Sequence, residues 1–181
     1  QHRVQAEVLD HRHQLVGAAR AGRDLGLQVG DVLARIARGI ASRGEHGLDE
    51  ELLIFDLLTF TLTTGDEEWK PSAVATIEGI RALKQALPKV KTSLGVSNVS
   101  FGVGERARSV INSVFLHHCV EAGLDLAMVN PNFITPYGEI SDEERKLADD
   151  LVFNRSDDAL EKLIAHFEGK GEEELAEVAD P

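Results

Sequence analysis

The sequence predicts a parallel α/β fold built from part of a strand–helix repeat. Short apolar runs alternate with stretches of helical period, and each run ends on a polar residue. The 181 residues also fall short of the about 250 that a complete (β/α)8 barrel takes.

Residues 1–44 are rich in arginine and lack lysine. Gln1 to about Leu27 carries His2, His11 and His13 among Arg and Gln with no clean period, so no element is assigned there. From Asp31 onward Val32, Leu33, Ile36 and Ile40 recur at helical spacing until Gly44 and Gly47, which predicts a helix at 31–43. Leu52-Leu53-Ile54-Phe55 is a continuous apolar run ending at Asp56, the pattern of a parallel strand covered on both faces. Val74, Ile77, Ile80, Leu83 and Leu87 then share one helical face over Pro71–Leu87, with Pro71 suited to the first turn and Pro88 closing the segment.

Lys91-Thr92-Ser93-Leu94-Gly95-Val96 reads as the second strand, followed by Ser97-Asn98 and a glycine-containing loop. A helix is expected from about Glu105 to Glu121, ended by Gly123. Leu126-Ala127-Met128-Val129 is the third strand and stops at Asn130. Beyond it only helical patterns appear: Ser141 and Glu144 form an S-x-x-E capping box, and a last helix is expected over Ser156–Phe167.

Hydrophobic residues make up 43% and charged residues 28%, which places the chain among soluble globular proteins. No apolar run approaches membrane-spanning length and the N-terminus has no signal-peptide pattern, so a cytoplasmic protein with no membrane partner is expected. The net charge of -12 argues against nucleic-acid binding. Much of it is local, since Glu139–Pro181 holds 15 acidic residues against five basic ones, and residues 170–181 read as an acidic linker. Cys119 stands alone, which excludes an internal disulfide and argues against a cysteine-based zinc site.

Two motifs are discounted. Gly102-Val103-Gly104-Glu105-Arg106-Ala107 imitates a dinucleotide fingerprint, but Ser97–Phe101 intervene between strand and first glycine. His117-His118-Cys119 resembles a metal cluster, yet helix neighbours point about 100° apart, so no metal is expected on this chain. The strand-end residues Asp56, Asn98 and Asn130 carry more weight. One polar residue after a strand is usually a cap or turn residue, whereas three in register point to one shared mouth, where barrels build their sites.

Ile54-Phe55-Asp56-Leu57-Leu58-Thr59-Phe60 through Thr64-Gly65, Gly95-Val96-Ser97-Asn98-Val99-Ser100-Phe101-Gly102 and Val110-Ile111-Asn112-Ser113-Val114-Phe115 resemble the pterin-binding methyltransferases. The likeness continues through Gly123-Leu124-Asp125 and Val129-Asn130-Pro131 to Asn154-Arg155. It implies a partial (β/α)8 (TIM) barrel of the pterin-binding type, its C-terminal strands and helices occupying 45–169, behind a poorly matched segment at 1–44. The family's pattern usually has proline after the first aspartate, where this chain has Leu57.

The resemblance implies a function in the cobalamin-dependent branch of that family. There 5-methyltetrahydrofolate is the substrate, its N5 methyl passes to cob(I)alamin, and homocysteine finally receives it to give methionine. Asp56 would bind the pterin's amide and amino donors, Asn98 would act catalytically beside N5, Arg108 would lie near the folate, and Asn130 would stand at the mouth. Residue chemistry agrees, since a pterin edge offers donors to a carboxylate and an amide can both donate and accept.

The chain lacks a D-x-H-x-x-G cobalamin-binding element and the cysteines of a homocysteine-activating zinc site. Cobalamin is therefore expected on another domain or a corrinoid protein, and the fragment alone should not complete the reaction. Three alternatives stand beside this: a stand-alone methyltetrahydrofolate:corrinoid protein methyltransferase, a dihydropteroate synthase, whose late basic motif is not found, and a non-catalytic truncated fragment with open strand edges.

Overall fold

The computed structural model describes residue 47 and residues 49–179, so the helix expected at 31–43 lies outside the described residues. Strands β1 (Ile54–Asp56), β2 (Lys91–Gly95) and β3 (Leu126–Met128) form a parallel sheet in the order β1-β2-β3. Helix α1 (Ser72–Ala86) joins β1 to β2 and α2 (Glu105–Ala122) joins β2 to β3. Helices α3 (Asp142–Val152) and α4 (Ala159–Ala179) follow. The parallel neighbours expected from the alternation are thus present.

The chain divides into two compact units. The first holds the sheet, residues 74–95 and residues 118–128 together with the segment up to Thr59. Pairing Ile54 with Lys91, Asp56 with Ser93 and Gly95 with Met128 sets Phe55, Thr92, Leu94 and Ala127 on the opposite face from Ile54, Asp56, Ser93, Leu126 and Met128. Thr92 and Leu94 are fully buried, while Ile54 and Met128 are 61% and 59% exposed. The expectation that the first strand is covered on both faces is therefore corrected: among the described residues only one face is covered. The strand also begins later than the apolar run, because Glu50–Leu52 forms a 3-10 turn.

On α1, Ile77, Ile80 and Leu83 are buried one turn apart, as the period requires. Pro71 sits just outside the first turn rather than in it. Helix α2 ends where glycine is expected. Leu124 donates its N–H to Cys119 O and Gly123 to Val120 O, the paired bonds of a Schellman motif. Gly123 has φ +109, and a Cβ there would meet Lys84 Cγ at 2.9 Å, so only glycine suits both backbone and neighbour.

Asp125 ties the start of β2 to the loop before β3. Its Oδ2 accepts from Lys84 Nζ (2.9 Å), Thr92 N (2.9 Å) and Thr92 Oγ1 (3.1 Å), and Lys91 Nζ stands 3.4 Å from Oδ1. Desolvation raises the pKa of this carboxyl, but the bonds from Lys84 and from the Thr92 amide and hydroxyl outweigh it and hold the group at about 2. A depressed folded-state pKa stabilises the protein above the unfolded value of 3.8 and ceases to do so as pH falls toward 2. Asp125→Asn is expected to cost about 1–2 kcal/mol near neutrality, allowing for partial exposure, and to flatten the acid limb between about pH 4 and 2. Urea melts across that range check it, and parallel wild-type and variant acid limbs would remove Asp125 from the account.

The second unit holds residues 60–73, 96–117 and 129 onward. The expected capping box is present in side-chain form: Ser141 Oγ accepts from Glu144 N (3.3 Å) and donates to Glu144 Oε2 (2.9 Å). Helices α3 and α4 pack on each other, with Ala148, Val152, Ala159 and Leu163 buried. Helix α4 starts at Ala159 and continues past Phe167 to Ala179, longer than its apolar period indicates. Among the described residues no helix is long and apolar enough to cross a membrane.

Candidate functional site

Asp56 closes β1 and is exposed. Its Oδ1 accepts the Leu58 N–H at 3.0 Å, an Asx turn that holds Leu58 at φ +62, a left-handed conformation seldom taken by leucine. Leu57, where the family usually carries proline, donates its N–H to Ser93 O at 3.3 Å and buries its side chain. Proline has no N–H to give, so in this chain the β1–β2 ladder runs one residue further.

Asn98 lies three residues past β2, in the 3-10 turn Val96–Ser100. Val96, Val99 and Ser100 are buried, whereas Asn98 is exposed. The turn is held on several sides. Leu62 donates to Val99 O (3.0 Å), Arg108 Nη2 reaches Ser97 O (3.5 Å), and Ser100 Oγ donates to Asn112 Oδ1 (2.7 Å). Thr61 and Thr63 both donate to Phe101 O just beyond it. Among the described residues the Asn98 side chain takes no partner.

Arg108 is half-buried on α2, with its guanidinium 5.4 Å from the Phe133 ring centroid and its Nε buried without a partner among the described residues. Asn130 lies two residues past β3 and spends its Oδ1 on Asn132 N (3.1 Å), capping the 3-10 turn Pro131–Phe133. Arg108 thereby touches both the turn that carries Asn98 and the turn that Asn130 caps. Within the second unit the structure brings these three residues to one neighbourhood, while Asp56 belongs to the first unit.

Sequence reasoning missed the polar ladder that fixes the loop after β3: Ser113 Oγ donates to Ser109 O (2.6 Å), Thr135 N donates to Ser113 Oγ (2.8 Å), and the Ser109 and Thr135 hydroxyls pair at 3.2 Å. It also missed Ser100 and Asn112. The available signal was the polar pair Asn112-Ser113 inside the apolar run Val110–Phe115.

Two cavities of about 390 Å³ and about 460 Å³ open in the second unit, one between residues 62–70 and 151–161, the other between Gly102–Ala107 and Ile164, Phe167 and Glu168. Neither is lined by Asp56, Asn98, Arg108 or Asn130. His117 stacks on Tyr137 (3.8 Å between centroids), and burial pushes the Cys119 thiol far up, leaving it unreactive.

Parallel strands joined by helices, with a polar residue at the end of β1 or within three residues of the ends of β2 and β3, define an α/β protein of the barrel type. Residues 23–130 match the family described as pterin binding enzyme, and the chain belongs to that family, with the fold of a partial (β/α)8 barrel. Within it the chain is similar to the methionine synthase of Mycobacterium tuberculosis (strain ATCC 25618 / H37Rv), 47% identical over 144 residues, or 75% of this chain and 12% of that protein. It is similar also to the methionine synthase of Mycobacterium leprae (strain TN), 45% identical over 142 residues, or 77% of this chain and 12% of that protein. The chain thus spans about 12% of the length of these curated relatives.

Proposed function

We propose that this chain is part of a cytoplasmic methyltransferase that binds 5-methyltetrahydrofolate and passes its N5 methyl to cob(I)alamin held by another domain, on the way to homocysteine and methionine. The observation that carries the reading is Asn98: an exposed amide without a partner among the described residues, on a turn whose other residues are anchored, in a chain of the pterin-binding family. The relatives' names and their much greater length favour a multidomain enzyme over a stand-alone methyltransferase.

A tertiary amine is a poor leaving group, so cleavage of the N5–methyl bond needs hydrogen-bond or proton support. Asn98 supplies the hydrogen bond and orients N5. An amide does not titrate near neutrality, so the proton itself comes through water or a relay. Asp56 accepts from the pterin's amide and amino donors, and Arg108 lies near the folate. The corrinoid, when present, supplies the nucleophile that accepts the methyl group.

The test mixes the complete polypeptide that carries this chain with 5-methyltetrahydrofolate and free cob(I)alamin and follows the corrinoid spectrum. Conversion to methylcobalamin is expected. Absence of conversion, together with condensation of separately supplied 6-hydroxymethyl-dihydropterin pyrophosphate and p-aminobenzoate with release of pyrophosphate, would transfer the chain to dihydropteroate synthesis.

A further inference from the structure

We infer that Asn112 is a positioning residue for methyl transfer, setting Asn98 by fixing the turn that carries it; this rests on the function proposed above. Asn112 is fully buried on α2 between Ile111 and Ser113, in a run where Val110, Ile111, Val114 and Phe115 are buried as well. An amide in such a place costs free energy unless it is fully hydrogen-bonded. Only half of it is. Oδ1 accepts from Ser100 Oγ at 2.7 Å, while Nδ2 has no partner among the described residues.

Leucine has the same branching and heavy-atom count, though more volume, and would bring no unpaired donor of its own. The chain instead keeps a residue that is costly to bury, and the one hydrogen bond its side chain makes among the described residues reaches Ser100, two residues from Asn98. The Ser100 hydroxyl has a second acceptor in Ser97 O, but at 3.5 Å against 2.7 Å the proton belongs to Asn112. The other two anchors of the turn, from Leu62 and Arg108, both end on backbone carbonyls. The Asn112–Ser100 bond joins two buried side chains, and among the described residues it alone fixes a side chain of the turn to the helix beneath it. A displacement near 1 Å at a reacting contact is enough to cost about 10²-fold in rate.

The experiment uses the complete polypeptide with Asn112→Leu, Ser100→Ala and each of these combined with Asn98→Ala. Three quantities are read: single-turnover methyl transfer to cob(I)alamin, the Kd for 5-methyltetrahydrofolate, and the melting temperature. Asn112→Leu is expected to slow transfer by about tenfold or more, with Kd within about twofold and a lowered melting temperature, since the Ser100 hydroxyl loses its near acceptor. In the Asn98→Ala background the same substitution should slow transfer no further, because its effect runs through Asn98. A merely structural Asn112 would give the same factor in both backgrounds, and that result, or a wild-type rate for Asn112→Leu, overturns the inference. Should Asn112→Leu fold poorly, Ser100→Ala breaks the same bond from the other side and must show the same dependence on Asn98. If Asn98→Ala alone leaves the rate unchanged, the functional proposal itself falls, a result separable from the failure of Asn112 alone.

Discussion

Asn98→Ala in the complete polypeptide is expected to slow methyl transfer to cob(I)alamin by about 10²–10³-fold, the loss typical of a preorganised donor aimed at developing charge. Stability should hold. The side chain is exposed and takes no partner among the described residues, so its removal leaves no cavity and no orphaned group. The backbone of the turn keeps its anchors, since Val99 O, Ser97 O and Ser100 Oγ bond to Leu62, Arg108 and Asn112 irrespective of residue 98. Rate loss without loss of melting temperature separates transition-state support from folding. Stopped-flow methylation and a thermal melt measure the two, and an unchanged rate removes Asn98 from the mechanism.

The site's polar set was legible because a strand-end residue is marked by the apolar run before it. Asp56 ends its strand directly, while Asn130 follows β3 by two residues and Asn98 follows β2 by three inside a 3-10 turn. The strand pattern therefore marks them only approximately, and their differing partners are set by tertiary structure. Asn130 spends its oxygen on a cap, Asp56 spends one of two, and Asn98 spends none among the described residues. Elements with long periods, α1 and α2, stand within a residue of where their spacing put them, since local period and capping chemistry set them. The first strand was read less well. A short apolar run does not reveal which partners cover it, and Leu52, 71% exposed, lies in a turn rather than in the ladder. Helix α4 runs past its apolar stripe, through Gly169 and Gly171, into residues 172–176, which have good intrinsic helix propensity. The Ser100–Asn112 bond was half legible: the polar pair inside the run Val110–Phe115 marks Asn112, but its partner lies on a different element and nothing in the sequence pairs the two.

Asp56→Asn is expected to weaken 5-methyltetrahydrofolate binding by roughly 1.5–3 kcal/mol, or about 10- to 150-fold, while sparing the reaction of methylcobalamin with homocysteine. The substitution is clean because of how the carboxylate is used. Its Oδ1 accepts from Leu58 N, and an asparagine Oδ1 can do the same, so the Asx turn and the positive φ of Leu58 persist. Leu57 keeps its bond to Ser93 O, since that bond is made by the backbone. What changes is the second oxygen, which becomes an NH2 group. The pterin edge presents adjacent N–H donors, and one of them would then face a donor in place of a charged acceptor. Alanine at the same position would confound the result, because it removes the turn along with the acceptor. The homocysteine step uses other parts of the complete polypeptide, so it serves as an internal control for folding. Titration of the variant with 5-methyltetrahydrofolate gives the affinity directly. Wild-type affinity would leave Asp56 as the residue that ends β1 and caps its turn, with no part in holding the pterin.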